Sequence, residues 1–154
     1  MKAKAIVLAL VLCSVGVAMG YAVDAFMGTW KLNEEKSKLA AGTPKNNTVV
    51  YEAAGDNVKI TVDGVDSDGK PAHNEWTGKF DGKEYPVTGD PNADVRSYKM
   101  VNDRTLALTN KKNGKTMMSG RIVISKDGKS RTVTVRGTDA AGKKVSSTAV
   151  YDKQ

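Results

Sequence analysis

The chain has 154 residues, enough for one domain, with 40% hydrophobic and 27% charged residues. Its formal charge is +7, and removing Lys2 and Lys4 leaves +5. The lysines are scattered, no arginine-rich block exists, and aromatics are only 6%, which argues against nucleic acid as a partner. A soluble surface of mixed charge is expected, with weak attraction to anionic membrane surfaces as the electrostatic alternative.

Lys2 and Lys4 form a positive n-region and Ala5 to Ala18 an apolar h-region. Small residues place a cut after Gly20 or after Ala22. Residues 1–22 therefore read as a signal peptide and 23–154 as the mature domain. The competing reading, an uncleaved anchor, rests on the uncharged run from Ala5 to Val23. Cys13, the only cysteine, lies inside the h-region. The mature domain would then lack disulfides and rely on its core alone. A periplasmic or secreted location follows, with bacterial periplasm favoured. Asn46-Asn47-Thr48 is a glycosylation sequon only in a eukaryotic secretory route.

After Val23, short β-rich runs alternate with turn signals. Strands are expected near 26–32, 47–54, 57–63, 72–80, 83–88, 94–101, 104–111, 115–125, 130–138 and 143–152. Asp68-Gly69, Asp81-Gly82, Asn113-Gly114 and Asp127-Gly128 suit tight hairpins, because Asn or Asp before Gly tolerates positive φ. Val58, Ile60 and Val62 alternate with Lys59 and Thr61. Trp76, Gly78 and Phe80 alternate with His73, Glu75 and Lys79, as a sheet with unlike faces requires. One connection is long, Asn33 to Lys45, where Glu34, Glu35, Lys36, Lys38 and Leu39 predict a short helix ended by Gly42 and Pro44. Antiparallel strands this numerous curl and close, so the fold class is an all-β, ten-stranded antiparallel up-and-down β-barrel. A two-sheet sandwich is the alternative, but it needs longer crossing connections.

The run Asp24-Ala25-Phe26-Met27-Gly28-Thr29-Trp30-Lys31-Leu32 resembles the opening strand of the intracellular fatty-acid-binding proteins, within the lipocalin-like (calycin) group. Thr148-Ala149-Val150-Tyr151-Asp152-Lys153 resembles that family's closing strand. The resemblance implies an internal cavity for a small hydrophobic, lipid-like ligand. It also implies that the first tryptophan plugs the closed end. The implied portal comprises Asn33 to Lys45, Asp66 to Lys70 and Gly89 to Ala93. The family commonly holds the ligand carboxylate with an Arg-x-Tyr pair on the last strand. Here Tyr151 fits the tyrosine, but Ala149 stands where the arginine belongs. Arg121 lies on the strand where some relatives carry a second carboxylate-binding arginine.

The alternation adds further candidates. Arg96 shares a face with Tyr98 and Met100, and Arg131 shares one with Val133 and Val135. An arginine on an apolar face is costly unless paired or hydrated. The alternative is that each of Arg96, Arg121 and Arg131 sits at a strand end and reaches solvent. Trp76 is core or ligand-lining. The candidate ligand site is therefore Tyr151, Arg121, Arg96, Arg131, Tyr98 and Trp76.

No catalytic set is evident. His73, the only histidine, is expected on the outer face, which also disfavours a haem role. Asp63 to Gly69 partly matches a calcium loop, but its flanks are strands and a hairpin accounts for it. The sequence therefore reads as a monomeric, non-catalytic binding or carrier protein without metal or cofactor. Its rival is a filled barrel that acts through its surface, as a protein-interaction, inhibitor or envelope-stress module.

Overall fold

A computed structural model describes residues 22–139 and 141–154. Residues 1–21, which hold Cys13 and all but the last residue of the expected signal peptide, lie outside the described residues. Ten strands follow in order: β1 (Gly28–Lys38), β2 (Lys45–Ala54), β3 (Asn57–Val65), β4 (Pro71–Gly78), β5 (Tyr85–Thr88), β6 (Val95–Asn102), β7 (Thr105–Lys112), β8 (Lys115–Ile124), β9 (Ser130–Thr138) and β10 (Lys144–Lys153). Each pairs antiparallel with its chain neighbours, and β1 also pairs with β10. The result is a closed up-and-down barrel, as the turn spacing predicts.

The turns form by two local devices. At Asn113-Gly114 both residues take positive φ, 48° and 75°, the geometry that matches hairpin twist. Elsewhere an aspartate side chain holds the turn. Asp66 Oδ1 accepts the backbone N–H groups of Asp68 and Lys70, each at 2.9 Å. The calcium-like segment is thus a hairpin whose carboxylate serves its own backbone. Asp127 and Asp139 act alike, accepting from Lys129 and from Ala141 and Lys143.

The helix expected around Glu34 to Leu39 is not there. Strand β1 continues through Lys38, with a bulge between Asn33 and Lys38 in its pairing with β10. Asn33 and Lys38 pair with β10 on either side of the bulge, and within it the Lys36 N–H finds Asn33 Oδ1 at 3.2 Å, so the stretch is held without a helix. The connection at the mouth shrinks to residues 39–44.

One end of the barrel is closed by the segment that leads into β1. The Val23 carbonyl accepts the Phe26 N–H, and the Phe26 carbonyl accepts Trp30 Nε1–H at 2.9 Å. Phe26 and Trp30 are fully buried there. Aromatic rings fill the adjoining interior: Trp76 meets Tyr98 edge-on at 4.8 Å, and Phe80 touches Phe26, Tyr51, Trp76 and Tyr98. Offset and edge-on contacts of this kind add to the area they bury. At the other end lie the connections after β1, β3, β5, β7 and β9.

Gly64 shows how tightly the strands approach near that mouth. A β-carbon there would sit 1.9 Å from the Lys45 carbonyl oxygen, a backbone atom that can move only with its strand. Gly64→Ala is therefore expected to destabilise the barrel by about 1–3 kcal/mol. Urea unfolding would show this as a lower midpoint at unchanged slope.

Candidate functional site

Five of the six sequence-predicted site residues come together inside the barrel. Trp76, Arg96, Tyr98, Arg131 and Tyr151 are buried, while Arg121 is exposed on the outer wall of β8. Arg121 therefore does not line the interior. Its face companions Ser119 and Val123 are exposed with it. The strand-end alternative also fails for Arg96 and Arg131, which are 6% and 2% exposed.

The two buried arginines are satisfied in opposite ways. Arg96 lies near the mouth, on β6. Its Nε–H donates to Asn110 Oδ1 at 2.7 Å, Nη1 to Asn74 Oδ1 at 3.2 Å, and Nη2 to Asp90 Oδ2 at 3.0 Å. Strands β4 and β7 and the β5–β6 connection thus converge on one guanidinium. The Arg96 carbonyl in turn accepts Trp76 Nε1–H at 2.9 Å, tying this polar layer to the aromatic cluster. Asn74 and Asn110 are not among the residues the sequence singles out, and Asp90 enters there only as part of the implied portal Gly89 to Ala93. The inward parity of Asn74 with Trp76 is the signal that could have found one of them.

Arg131 lies near the closed end, on β9, opposite Tyr151 on β10 and Ile124 on β8. Its guanidinium carbon stands 4.6 Å from the Tyr151 ring centroid, 5.0 Å from Tyr51 and 5.2 Å from Trp30. Three π faces therefore surround the cation. Yet Nε and Nη1 are buried without a hydrogen-bond partner among the described residues. Leaving charged donors unmade is costly, since each has surrendered water. Tyr151 offers no counter-charge. Burial pushes the Tyr98 and Tyr151 hydroxyls up to about 12, against the lowering pull of the arginines.

Above Arg131 the inner wall loosens. Met118, Val133, Val135 and Ala149 are only partly buried, whereas Ile122, Ile124 and Tyr151 deeper down are sealed. The register places Val133 opposite Ala149 and both on the inner face with Arg131. Ala149 thus presents a small, uncharged side chain in this wall. The arrangement can hold an acidic group at its floor and an apolar body along its side.

His73 is exposed on the outer wall, as the alternation predicts. Its Nδ1 lies 2.6 Å from Asp63 Oδ1 and its Nε2 3.4 Å from Glu75 Oε1. The Asp63 hydrogen bond, then that of Glu75, raises its pKa from the ordinary 6.5. Lys59, 3.2 Å from Glu75, holds the Glu75 carboxyl below its ordinary range, with His73 adding to the effect.

No protein-family model matches the chain, and no curated protein matches it by sequence. Solved structures match its shape. A barrel described as EF1p2_mFAP2b bound to DFHBI aligns over 89% of this chain and 100% of that chain, at 14% identity and a TM-score of 0.50. A redesigned β-barrel, mFAP1, bound to DFHBI, aligns over 86% and 99% at 19% identity and a TM-score of 0.45. At 14% identity the first likeness shows the barrel fold alone.

Two outcomes check this geometry. Asp90→Ala strips Arg96 of its carboxylate and should cost roughly 2–3 kcal/mol by urea unfolding, with Asp90→Asn falling between. The His73 imidazole should titrate above 6.5 by NMR and shift down toward the ordinary value in Asp63→Asn, with Glu75 still raising it. The sign follows from the raised pKa: its small stabilising effect is complete at acid pH and fades as pH rises through the folded value.

Proposed function

We propose that the barrel binds a small amphiphile with an acidic head group, as a non-catalytic carrier or sensor acting outside the cytoplasm. The observation that carries this reading is the Arg131 guanidinium, buried with two N–H-bearing nitrogens lacking a partner. A carboxylate or similar group would supply both the acceptors and the counter-charge. The apolar body would lie along Val133, Val135, Ala149 and Met118, which the core leaves partly uncovered. Export rests on the positive and apolar segments of the first twenty residues. A non-catalytic role rests on the missing nucleophile–base sets, with His73 already engaged by two carboxylates on the outer wall. A small-molecule role also accords with a barrel of this fold described as bound to DFHBI.

A second reading has its own observation. Phe26, Trp30, Tyr51, Trp76, Phe80 and Tyr98 pack together in the interior. A filled barrel would act through its surface, and the two readings part on Arg131.

Replacing a buried unpaired charge by an apolar side chain of similar length is neutral or stabilising when nothing occupies the site. Arg131→Met should therefore keep or raise the ligand-free melting temperature. It should weaken binding of an acidic fluorescent amphiphile by roughly ten- to a hundredfold, the worth of a charge-assisted hydrogen bond. Native mass spectrometry of protein taken from its own compartment should show a small co-purifying mass that Arg131→Met loses. Absence of that mass, together with no probe binding by the wild type, would favour the surface-acting barrel.

A further inference from the structure

The outer wall of β8, β9 and β10 carries a second constellation, on the opposite face of the sheet from Arg131. Arg121 stands opposite Thr134, and Ser119 opposite Arg136. The four outward positions form a tile with guanidinium groups on one diagonal and hydroxyls on the other. Gly120 lies between Ser119 and Arg121 and adds no side chain. A β-carbon there would meet the Thr134 carbonyl oxygen at 2.1 Å, so the two strands approach closely at this point.

The tile lines a shallow groove of about 360 Å³, formed by Ser119, Gly120, Arg121, Thr134 and Arg136. It runs into a second hollow of about 410 Å³ that shares Ser119 and Arg136 and adds Met117, Lys144 and Val145. Diagonal neighbours on one sheet face stand about 7–8 Å apart, within reach of a common anion for side chains as long as arginine. The ion pairs among the described residues use none of Arg121, Arg136 and Lys144. Carboxylates instead meet cations on the wall of β3 and β4, where Asp63 and Glu75 engage His73 and Lys59. Two like charges on one diagonal repel, and these two have no internal counter-charge to offset that.

We propose that this groove binds a phosphate group between Arg121 and Arg136, with the Ser119 and Thr134 hydroxyls as further donors. The guanidinium fork matches phosphate oxygens in geometry as well as charge. Lys144 adds a third cation in the adjoining hollow. The phosphate is either free or the head group of an anionic lipid, since the same groups recognise both. This site is independent of the interior ligand and stands or falls without it.

The test titrates the protein calorimetrically with inorganic phosphate and measures its flotation with phosphatidylcholine vesicles with and without phosphatidylglycerol. Arg121→Gln and Arg136→Gln are each expected to weaken binding about tenfold or more, as loss of a charge-assisted contact implies. Lys31→Gln removes an exposed cation from β1 and is expected to bind as the wild type does. All three should melt as cooperatively as the wild type. Binding of phosphate without vesicles assigns the free anion, and flotation that requires phosphatidylglycerol assigns the lipid. The proposal is overturned if neither probe binds, if the arginine variants bind normally, or if Lys31→Gln loses as much as they do.

Discussion

Closure of the barrel depends on β1, which must pair at once with β2 beside it in sequence and with β10 at the far end of the domain. The other ladders join consecutive strands through short connections and can form locally. The β1–β10 ladder bears the loop-closure cost of nearly the whole domain. It is also irregular: Trp30 to Asn33 pair with Lys153 to Val150, and the pairing resumes only at Lys38 with Thr148. Within the bulge, the Ser37 hydroxyl accepts the Val150 N–H at 2.9 Å and donates to the Asn33 carbonyl at 2.6 Å. A side chain thereby replaces a missing ladder partner, so the bend leaves no donor stranded at Val150.

Once closed, the barrel must dispose of what its strands point inward. At the closed end this is simple, because rings pack on rings and Trp30 finds a carbonyl for its N–H. Near the mouth Arg96 is held by two asparagines and an aspartate, a network in which each guanidinium nitrogen has an acceptor. Such a network braces the β5–β6 connection against the wall, because Asp90 also accepts the Asn92 N–H. Arg131 receives no comparable set. Its surroundings attract a cation through π faces but accept no hydrogen bond from Nε or Nη1.

Much of this was legible in the residues, and the limits are physical. Turn chemistry and period-two alternation count the strands and sort their faces, because both are properties of neighbouring residues. The face assignments of Arg96 with Tyr98 and of Arg131 with Val133 hold for that reason. Depth along the barrel does not follow from parity, so whether these arginines reached solvent depended on packing across the barrel. Arg121 was ambiguous because Ser119 and Val123 suit either face. The Glu34–Leu39 stretch has good helix formers, yet the open edge of β10 outcompeted them, a partner more than a hundred residues away. Asn74 and Asn110 became visible as Arg96 ligands only once β4 and β7 were brought to its two sides.

The contrast between the two inward arginines bears directly on function. A charge kept for stability is given its complement by the fold, as Arg96 is. Arg131 has instead an aromatic cage, in which burial pushes the Tyr151 hydroxyl up to about 12. An apolar residue at that position would fill the same space without the desolvation cost. On the proposed reading the arginine is retained because an acidic ligand completes it, and the cage then serves two ends. It steadies the cation while the site is empty, and it excludes water that would weaken the charge–charge contact when the site is filled. Ala149 fits the same logic. A second cation beside Arg131 would raise the cost of the empty state, whereas a small side chain leaves the wall open for the ligand's apolar body.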